Sequence, residues 1–546
     1  MLLSEIGDRM PGIAAFTLYS WNAERSAWLA RNLRAALPGC LFVAGGPEVS
    51  ADNSWLRNSG AFDLLVSGEG EPVAGEVLDP VRARALASSC GGFLEVPPSS
   101  SIPGSGPDPW LSGHLDPAAY GSVALETIRG CASGCLFCSY RRRHPRPRVQ
   151  PAPEALARCA GLVRKGATEL VFLDPTFNSR SDLRTLLTGL SRLRTDCFAE
   201  IRGETVDGDL AGRFASAGFR TVEIGLQTSS DPVLSGCSRS AVFSKALDGA
   251  GRLSACGVKP VLDLILGLPG DTPAGPIAAA REMAARGFEF DAQIFYLALL
   301  PGTEARARAD SLGLEWMRRP PYYATRSGRW TLDDLAEARG EISDIFGFDP
   351  DFAPRPMVCD GWPGTAELDL DAGEELPSDP LSLRHSRLLL KAEDPWKARQ
   401  AILRAAGRRM AMDPFCVLDV QIAPGQPFPL DLFESLRSID EPRDYSGRTA
   451  RIHGMDGNLR PSVLIADWRR FPADWLAHAS SECPVVADAD RPEDLPRDLL
   501  DAGVGIRLPG GSWDLPALAA SVPFEDRVFF RSCATEQLWC EGILGL

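Results

Sequence analysis

Three cysteines, Cys131, Cys135 and Cys138, fall within one short run, Glu126-Thr127-Ile128-Arg129-Gly130-Cys131-Ala132-Ser133-Gly134-Cys135-Leu136-Phe137-Cys138. The spacing is C-x3-C-x2-C, and it follows directly on an apolar strand-like stretch. Three thiolates on one loop can ligate three irons of a cubane 4Fe–4S cluster. Clusters held by protein alone usually take four cysteines, so a set of three leaves one iron open to a substrate or cofactor. Gly130 and Gly134 let the loop close tightly around the metal. Phe137 can cover the cluster and restrict solvent. Two other readings use the same residues: three buried cysteines brought together by chance, and zinc bound by three cysteines plus His144.

Such a loop has to be presented by a scaffold, and the flanking sequence supplies a regular one. Short apolar runs at Val123–Thr127, Leu170–Leu173, Ala199–Arg202, Val222–Leu226, Val261–Leu266 and Asp291–Ala298 alternate with helical patterns. Repeated βα units of this kind predict a parallel barrel or partial barrel. Polar residues cluster at the carboxyl ends of these runs, where a barrel builds its active site. They include Asp174 and Thr176 in Asp174-Pro175-Thr176-Phe177-Asn178, then Glu200, Arg202 and Gln227, with Gly267 following a further run. Each has a plain alternative: a glycine after a strand is usually a turn, and a carboxylate there is often a helix cap.

Ahead of this region the chain reads as α/β. Ile13–Leu18, Leu41–Ala44 and Asp63–Ser67 are strand-like, and Ala23–Leu37 is helical in pattern and stops at Pro38-Gly39. Glycines follow the strands, in Gly45-Gly46-Pro47 and Gly68-Glu69-Gly70-Glu71. That order predicts a parallel sheet with a ligand crevice at its carboxyl edge. Residues 88–118 are rich in Ser, Pro and Gly and read as a linker. Leu332–Phe346 reads as a helix and Asp349–Asp379 as a second linker. The last part, 380–546, is α/β again, with Asp394 expected to cap a helix over Asp394–Met410. No internal repeat and no chemical motif stands out in it. The predicted domains are therefore 1–87, a linker at 88–118, a core at 119–330, a helical extension and linker at 331–379, and a C-terminal α/β domain at 380–546.

The triad and the strand ends that follow it resemble the radical S-adenosylmethionine (radical SAM) superfamily, over about residues 120–330. The resemblance implies a partial (β/α)6 TIM-like barrel whose cluster chelates S-adenosylmethionine (SAM) at the open iron. One electron then breaks a sulfonium carbon–sulfur bond and yields methionine and a 5′-deoxyadenosyl radical. It implies that the cluster sits on Cys131, Cys135 and Cys138. It further implies that SAM is met by Phe137, Asp174, Thr176, Glu200, Arg202, Gln227 and Gly267. Residues 13–71 are similar to the Rossmann-like cobalamin-binding domain of one branch of the superfamily. The pieces that match are Leu18-Tyr19-Ser20-Trp21-Asn22, Gly45-Gly46-Pro47-Glu48-Val49-Ser50 and Gly68-Glu69-Gly70-Glu71. Compared with that branch the domain is truncated before Tyr19, and the D-x-H-x-x-G motif is missing. The candidate cobalamin residues are Tyr19, Ser20, Trp21, Gly45, Gly46, Pro47, Glu48, Gly68 and Glu69.

The implied activity is a cobalamin-dependent C-methyltransferase of a small molecule or peptide, fed by a flavodoxin- or ferredoxin-type reductant. The alternatives are cobalamin-independent hydrogen abstraction leading to rearrangement, bond formation or cleavage, and a non-catalytic iron–sulfur or zinc scaffold. No general acid or base is legible; Tyr296, Tyr322 and Tyr323 are candidates, though buried tyrosines more often pack and make one hydrogen bond.

Bulk properties narrow the partners. The net charge of -15 argues against bulk nucleic-acid binding. No run reaches the roughly 18 apolar residues of a membrane helix, and the first residues do not form a signal peptide, which predicts a cytoplasmic protein. The basic run Arg141-Arg142-Arg143-His144, with Arg146 and Arg148, reads as solvated surface or as an anion site. The 14 cysteines lack a secretory context, so a disulfide framework is not expected and most of the others should be small buried hydrophobes.

Overall fold

The computed structural model describes residues 2–104, 106–140, 144, 146–289, 292–347, 355–377, 384–441 and 443–544. Arg141, Arg142 and Arg143 of the basic run, and parts of the predicted 349–379 linker, lie outside the described residues. The chain divides into two compact units, one of residues 12–30 and 39–352, the other of residues 1–11, 31–38 and 353–546.

The first unit holds two parallel sheets. Strands β1 (Ile13–Thr17), β2 (Leu41–Gly45), β3 (Leu64–Ser67) and β4 (Phe93–Glu95) form the smaller one in sequential order. The fourth strand lies in the segment read as a linker. Phe93 and Leu94 pair with Leu65 and Val66, and this tertiary pairing outweighs the Ser/Pro/Gly composition around them.

The larger sheet is the barrel-type layer. Strands β5 (Ser122–Leu125), β8 (Glu169–Phe172), β9 (Asp196–Ile201), β10 (Phe219–Gln227), β11 (Lys259–Leu266) and β12 (Ala292–Tyr296) run parallel in the order β5-β8-β9-β10-β11-β12. The connections from β8 to β12 contain helices such as Phe243–Ala255, whose Phe243, Leu247, Ala250 and Leu253 turn one apolar stripe inward. Every predicted run is a strand, displaced by a few residues at most. Between β5 and β8 the chain makes a small antiparallel ribbon, β6 (Ile128–Arg129) with β7 (Arg148–Val149). A further antiparallel sheet, β13 (Leu314–Trp316), β14 (Ala324–Ser327) and β15 (Trp330–Thr331), precedes the helix Leu332–Phe346. Thr331 and Asp334 make a capping box at the start of that helix.

The second unit carries a seven-stranded parallel sheet, β16 (Thr365–Asp369), β17 (His385–Ala392), β18 (Val417–Pro424), β19 (Leu459–Ile465), β20 (Val485–Asp488), β21 (Gly505–Leu508) and β22 (Val528–Phe530), wound in strict sequence. Its main core packs Leu388, Leu390, Val420, Ile422, Val463 and Ile465 against the helices. β16 falls in the predicted 349–379 linker. Asp394 does not begin the next helix. It accepts from Lys397 N–H in a turn, and the helix starts at Arg399. Cys359 and Cys533 form a disulfide, contrary to the expectation. They lie 174 residues apart, so no local spacing announces the pair. Cys40, Cys159, Cys197, Cys416 and Cys483 are buried, as expected. Among the described residues no helix is long and apolar enough to cross a membrane.

Candidate active site

The ribbon β6/β7 aims the cysteine loop over the carboxyl ends of the parallel strands. Two positions make the loop possible. Gly130 has φ of 98°, and a Cβ there would sit 2.7 Å from the Arg146 carbonyl oxygen, so only glycine fits. Asp174, just after β8, is fully buried. Its Oδ1 accepts from the backbone N–H groups of Thr127 (2.6 Å) and Ile128 (2.8 Å), and its Oδ2 from the Thr127 hydroxyl. Burial pulls its carboxyl above the usual range, against those bonds and Arg180. Leu136 is buried among Val233, Cys237, Leu268 and Leu297, worth roughly 2 kcal/mol. Its N–H donates to the Cys237 carbonyl, and its own carbonyl accepts from Ala305 N–H, both at 2.9 Å.

A cavity of ≈ 270 Å³ opens beneath the loop. Cys131, Cys135 and Cys138 line it together with Phe137, Thr176, Glu200, Arg202 and Gln227. Five of the seven residues expected at SAM thus share one cavity with the three thiols. Asp174 and Gly267 do not line it. Asp174 is spent on the start of the ribbon, and Gly267 is a turn at φ 88° beside Leu335 and Leu297.

The loop is also bound to the cavity walls. Thr176 Oγ1 lies 3.8 Å from Cys131 Sγ, and Arg202 Nη1 donates to Ser133 Oγ at 2.7 Å. Arg239 lies 3.9 Å from Cys135 Sγ and donates to the Gly225 carbonyl. Arg239 was missed in the sequence, because it lies in a loop after the helix Asp231–Gly236 where nothing local marks it.

The walls are acidic. Glu200, Glu223 and Asp263 come from β9, β10 and β11, with Glu223 in register with Glu200 and Gly225 with Asp263. Period-2 alternation turns all three toward the cavity. Glu200 stays exposed at the cavity, yet partial desolvation by the walls, with Glu223 nearby, pushes its carboxyl up to about 7. Burial and the adjacent Glu223 push Asp263 up to about 9, and burial also raises Glu223. Glu223 and Asp263 lie close enough to influence each other's charge, which favours a proton on one of them. Asp263 Oδ1 and Gln227 Oε1 are buried without a hydrogen-bond partner among the described residues. Glu223 and Asp263 are not among the expected site residues, although Glu223 shares β10 with Gln227 and Asp263 lies in β11 shortly before Gly267.

A pH dependence follows. Carboxyls with raised native values bind more protons folded than unfolded, so stability falls as pH rises from the unfolded values near 4 toward 9. The variant Asp263→Asn, which mimics the protonated form, should match wild type near pH 4 in the metal-free protein. At pH 9 it should exceed wild type by on the order of 2 kcal/mol. Urea melts across that range measure it, and parallel wild-type and variant curves would refute it.

The donor set fits a cubane. Three free thiols share a cavity, and a cubane offers each a separate iron. Among the described residues no three His, Cys, Asp or Glu side chains converge on one ion position. His144, the fourth ligand of the zinc reading, instead places Nδ1 3.1 Å from Glu69 Oε1.

The residues expected at cobalamin fit that group poorly. Glu48 is buried and accepts from Tyr322 Oη at 2.5 Å and Asn53 Nδ2 at 3.0 Å; Trp55 Nε1 donates to the same Tyr322 oxygen at 2.7 Å. Glu69 is taken up by Arg129, Arg148 and His144. Gly68 allows a backbone approach, since a Cβ there would lie 2.6 Å from the Val96 carbonyl oxygen, and Gly46 does the same against Leu18. Tyr19 and Trp21 stack on each other at the surface. A cleft of ≈ 540 Å³ at the carboxyl ends of β2 to β4 is lined by Gly68 alone of the nine. Tyr322 also loses its candidacy as a proton carrier. Burial first, then Glu48, raises its phenol well above the usual range. Removing its hydroxyl in Tyr322→Phe strands buried acceptors and donors, and thermal melts should show a loss of about 1–3 kcal/mol.

A parallel βα core with a three-thiol loop over its carboxyl edge defines the class, and comparison with known proteins agrees. Residues 125–283 match the radical SAM superfamily model, so the chain carries a radical SAM domain. The 2-(S-pantetheinyl)-carbapenam-3-carboxylate methyltransferase of Streptantibioticus cattleyicolor is 32% identical over 154 residues, 24% of this chain and 22% of that protein. The cobalamin-dependent radical SAM methyltransferase TokK of Streptomyces tokunonensis is 24% identical over 375 residues, 60% of this chain and 52% of that protein. The solved radical SAM methyltransferase TsrM of Kitasatospora setae aligns at TM-score 0.44 and 18% identity, over 56% of this chain and 66% of that one. The chain thus spans at most about half the length of these curated relatives.

Proposed function

We propose that this protein is a radical SAM enzyme that reductively cleaves SAM and methylates a small molecule or peptide. One observation carries the cleavage: the three thiols of the C-x3-C-x2-C loop share a single cavity with Thr176, Glu200, Arg202 and Gln227 at the carboxyl edge of a partial parallel barrel. When bound, the cluster supplies the electron that splits the sulfonium bond. The chain's own residues then orient and enclose the cofactor. Glu200, Glu223 and Asp263 line the cavity and would offer hydrogen-bonding carboxyls to a bound cofactor. Arg202 and Arg239 offer donors, and Phe137 excludes water beside the thiols. Methyl transfer is supported by the matched relatives, which are methyltransferases.

A second reading, SAM cleavage without cobalamin, is favoured by the engagement of Glu48 and Glu69 with other side chains. We read 1–87, 119–330 and 380–546 as three functional segments, with the last of unassigned role, and a ferredoxin- or flavodoxin-type donor as the electron source. The test is anaerobic reconstitution with iron, sulfide and hydroxocobalamin, followed by metal analysis and by assay for methionine and 5′-deoxyadenosine under reductant. Iron with SAM cleavage supports the core reading. Bound cobalt supports methyl transfer, and its absence favours the second reading. A protein that binds iron but never cleaves SAM is a scaffold.

A further inference from the structure

We propose that Glu69 is a positioning residue that locks the base of the cysteine loop. The proposal rests on the reading of that loop as the cluster holder. The loop springs from the ribbon β6/β7, which among the described residues pairs Ile128 with Val149 and Arg129 with Arg148, extended by Gln150 N–H donating to the Thr127 carbonyl at 2.8 Å. A ribbon that short has little stability of its own. Glu69 comes from the end of β3, 60 residues before Arg129, and its side chain is 3% exposed. Its Oε2 accepts from Arg129 Nη1 and from Arg148 Nη1, both at 3.1 Å. Its Oε1 meets His144 Nδ1 at 3.1 Å and also accepts from Arg148 Nη2. One carboxylate therefore clamps both strands of the ribbon and the returning limb of the loop.

Charge makes the clamp specific. Arg129 has other carboxylate partners, Glu126 and Glu71. Arg148 has Glu69 as its ion partner among the described residues, plus the Ser101 carbonyl. Without Glu69 two guanidinium groups would face each other across the ribbon, with His144 beside them. The base from which Glu69 reaches is stiff, because Gly68 is pressed against the backbone at Val96.

Hydrogen exchange and cysteine alkylation in the metal-free protein test this independently of the cluster. In Glu69→Ala, amide exchange at 128–131 and 146–149 and alkylation of the partly buried Cys131 should rise about tenfold or more. The strands β9 to β11 should exchange as in wild type. Glu69→Asp should restore part of the protection, and Glu71→Gln should change little. After reconstitution, the electron paramagnetic resonance spectrum of the reduced Glu69→Ala cluster should differ from wild type. If Glu69→Ala does not fold, Glu69→Gln is read by the same measurements. Unchanged exchange and alkylation, or changes confined to 41–67, would overturn the lock. A wild-type protein that forms no cubane would sink the functional reading instead, leaving the exchange result to decide the lock.

Discussion

Replacing Cys131, Cys135 and Cys138 with alanine is expected to leave a folded protein that retains no iron after reconstitution and cleaves no SAM. The loss in rate should be complete against background, on the order of 10⁶-fold or more. Stability should change far less. Only Cys135 of the three is buried, and trimming a thiol to a methyl leaves the Leu136 anchor and the Asp174 bonds in place. The cost should be about 1 kcal/mol per site. Iron analysis, visible absorption and a thermal melt on the same sample check all three expectations. Iron retained at wild-type levels would mean that the thiols are not the ligands.

Asp174→Ala should be the most damaging single change outside the cysteines. It removes three hydrogen bonds at once and leaves the N–H groups of Thr127 and Ile128 buried without acceptors. It also takes a carboxylate away from the buried Arg180, which keeps Asp182 and the Gln150 carbonyl. Losses of this kind amount to about 3–5 kcal/mol. Because the freed groups begin the cysteine ribbon, iron uptake should fall together with stability. Asp174→Asn keeps the shape but has only one acceptor oxygen, so it should fall between wild type and alanine. Denaturant melts with iron stoichiometry measure both effects. A variant as stable as wild type that also loads iron normally would show that the ribbon does not depend on this carboxylate.

Asp174 also shows where sequence reading stops. Its place after β8 was legible, and so was its chemistry as a carboxylate at an active edge. Its direction was not. A residue at a strand end can face the cavity or turn back to cap a neighbouring segment, and the choice is made by Thr127 and Ile128, 47 and 46 residues away. Glu48 and Glu69 follow the same logic. Both sit in glycine-rich turns that resemble a cofactor edge, and both are claimed by distant partners, Tyr322 at a separation of 274 and Arg148 at 79. Glu223 and Asp263 show the converse case. Their strands were placed correctly, yet their role depends on adjacent strands aligning their carboxyls, which is a matter of register.

The sequence by itself determined the three-thiol loop, the succession of βα units behind it and the edge on which polar residues would gather. Those features are local, set by spacing, glycine and the alternation of apolar residues along a strand. Tertiary structure decided which carboxylates face the cavity, which ones hold the loop from behind, that Phe93–Glu95 joins a sheet and that Cys359 meets Cys533. Each of those outcomes is a pairing between groups tens to hundreds of residues apart, governed by burial and charge that exist only once the chain has packed.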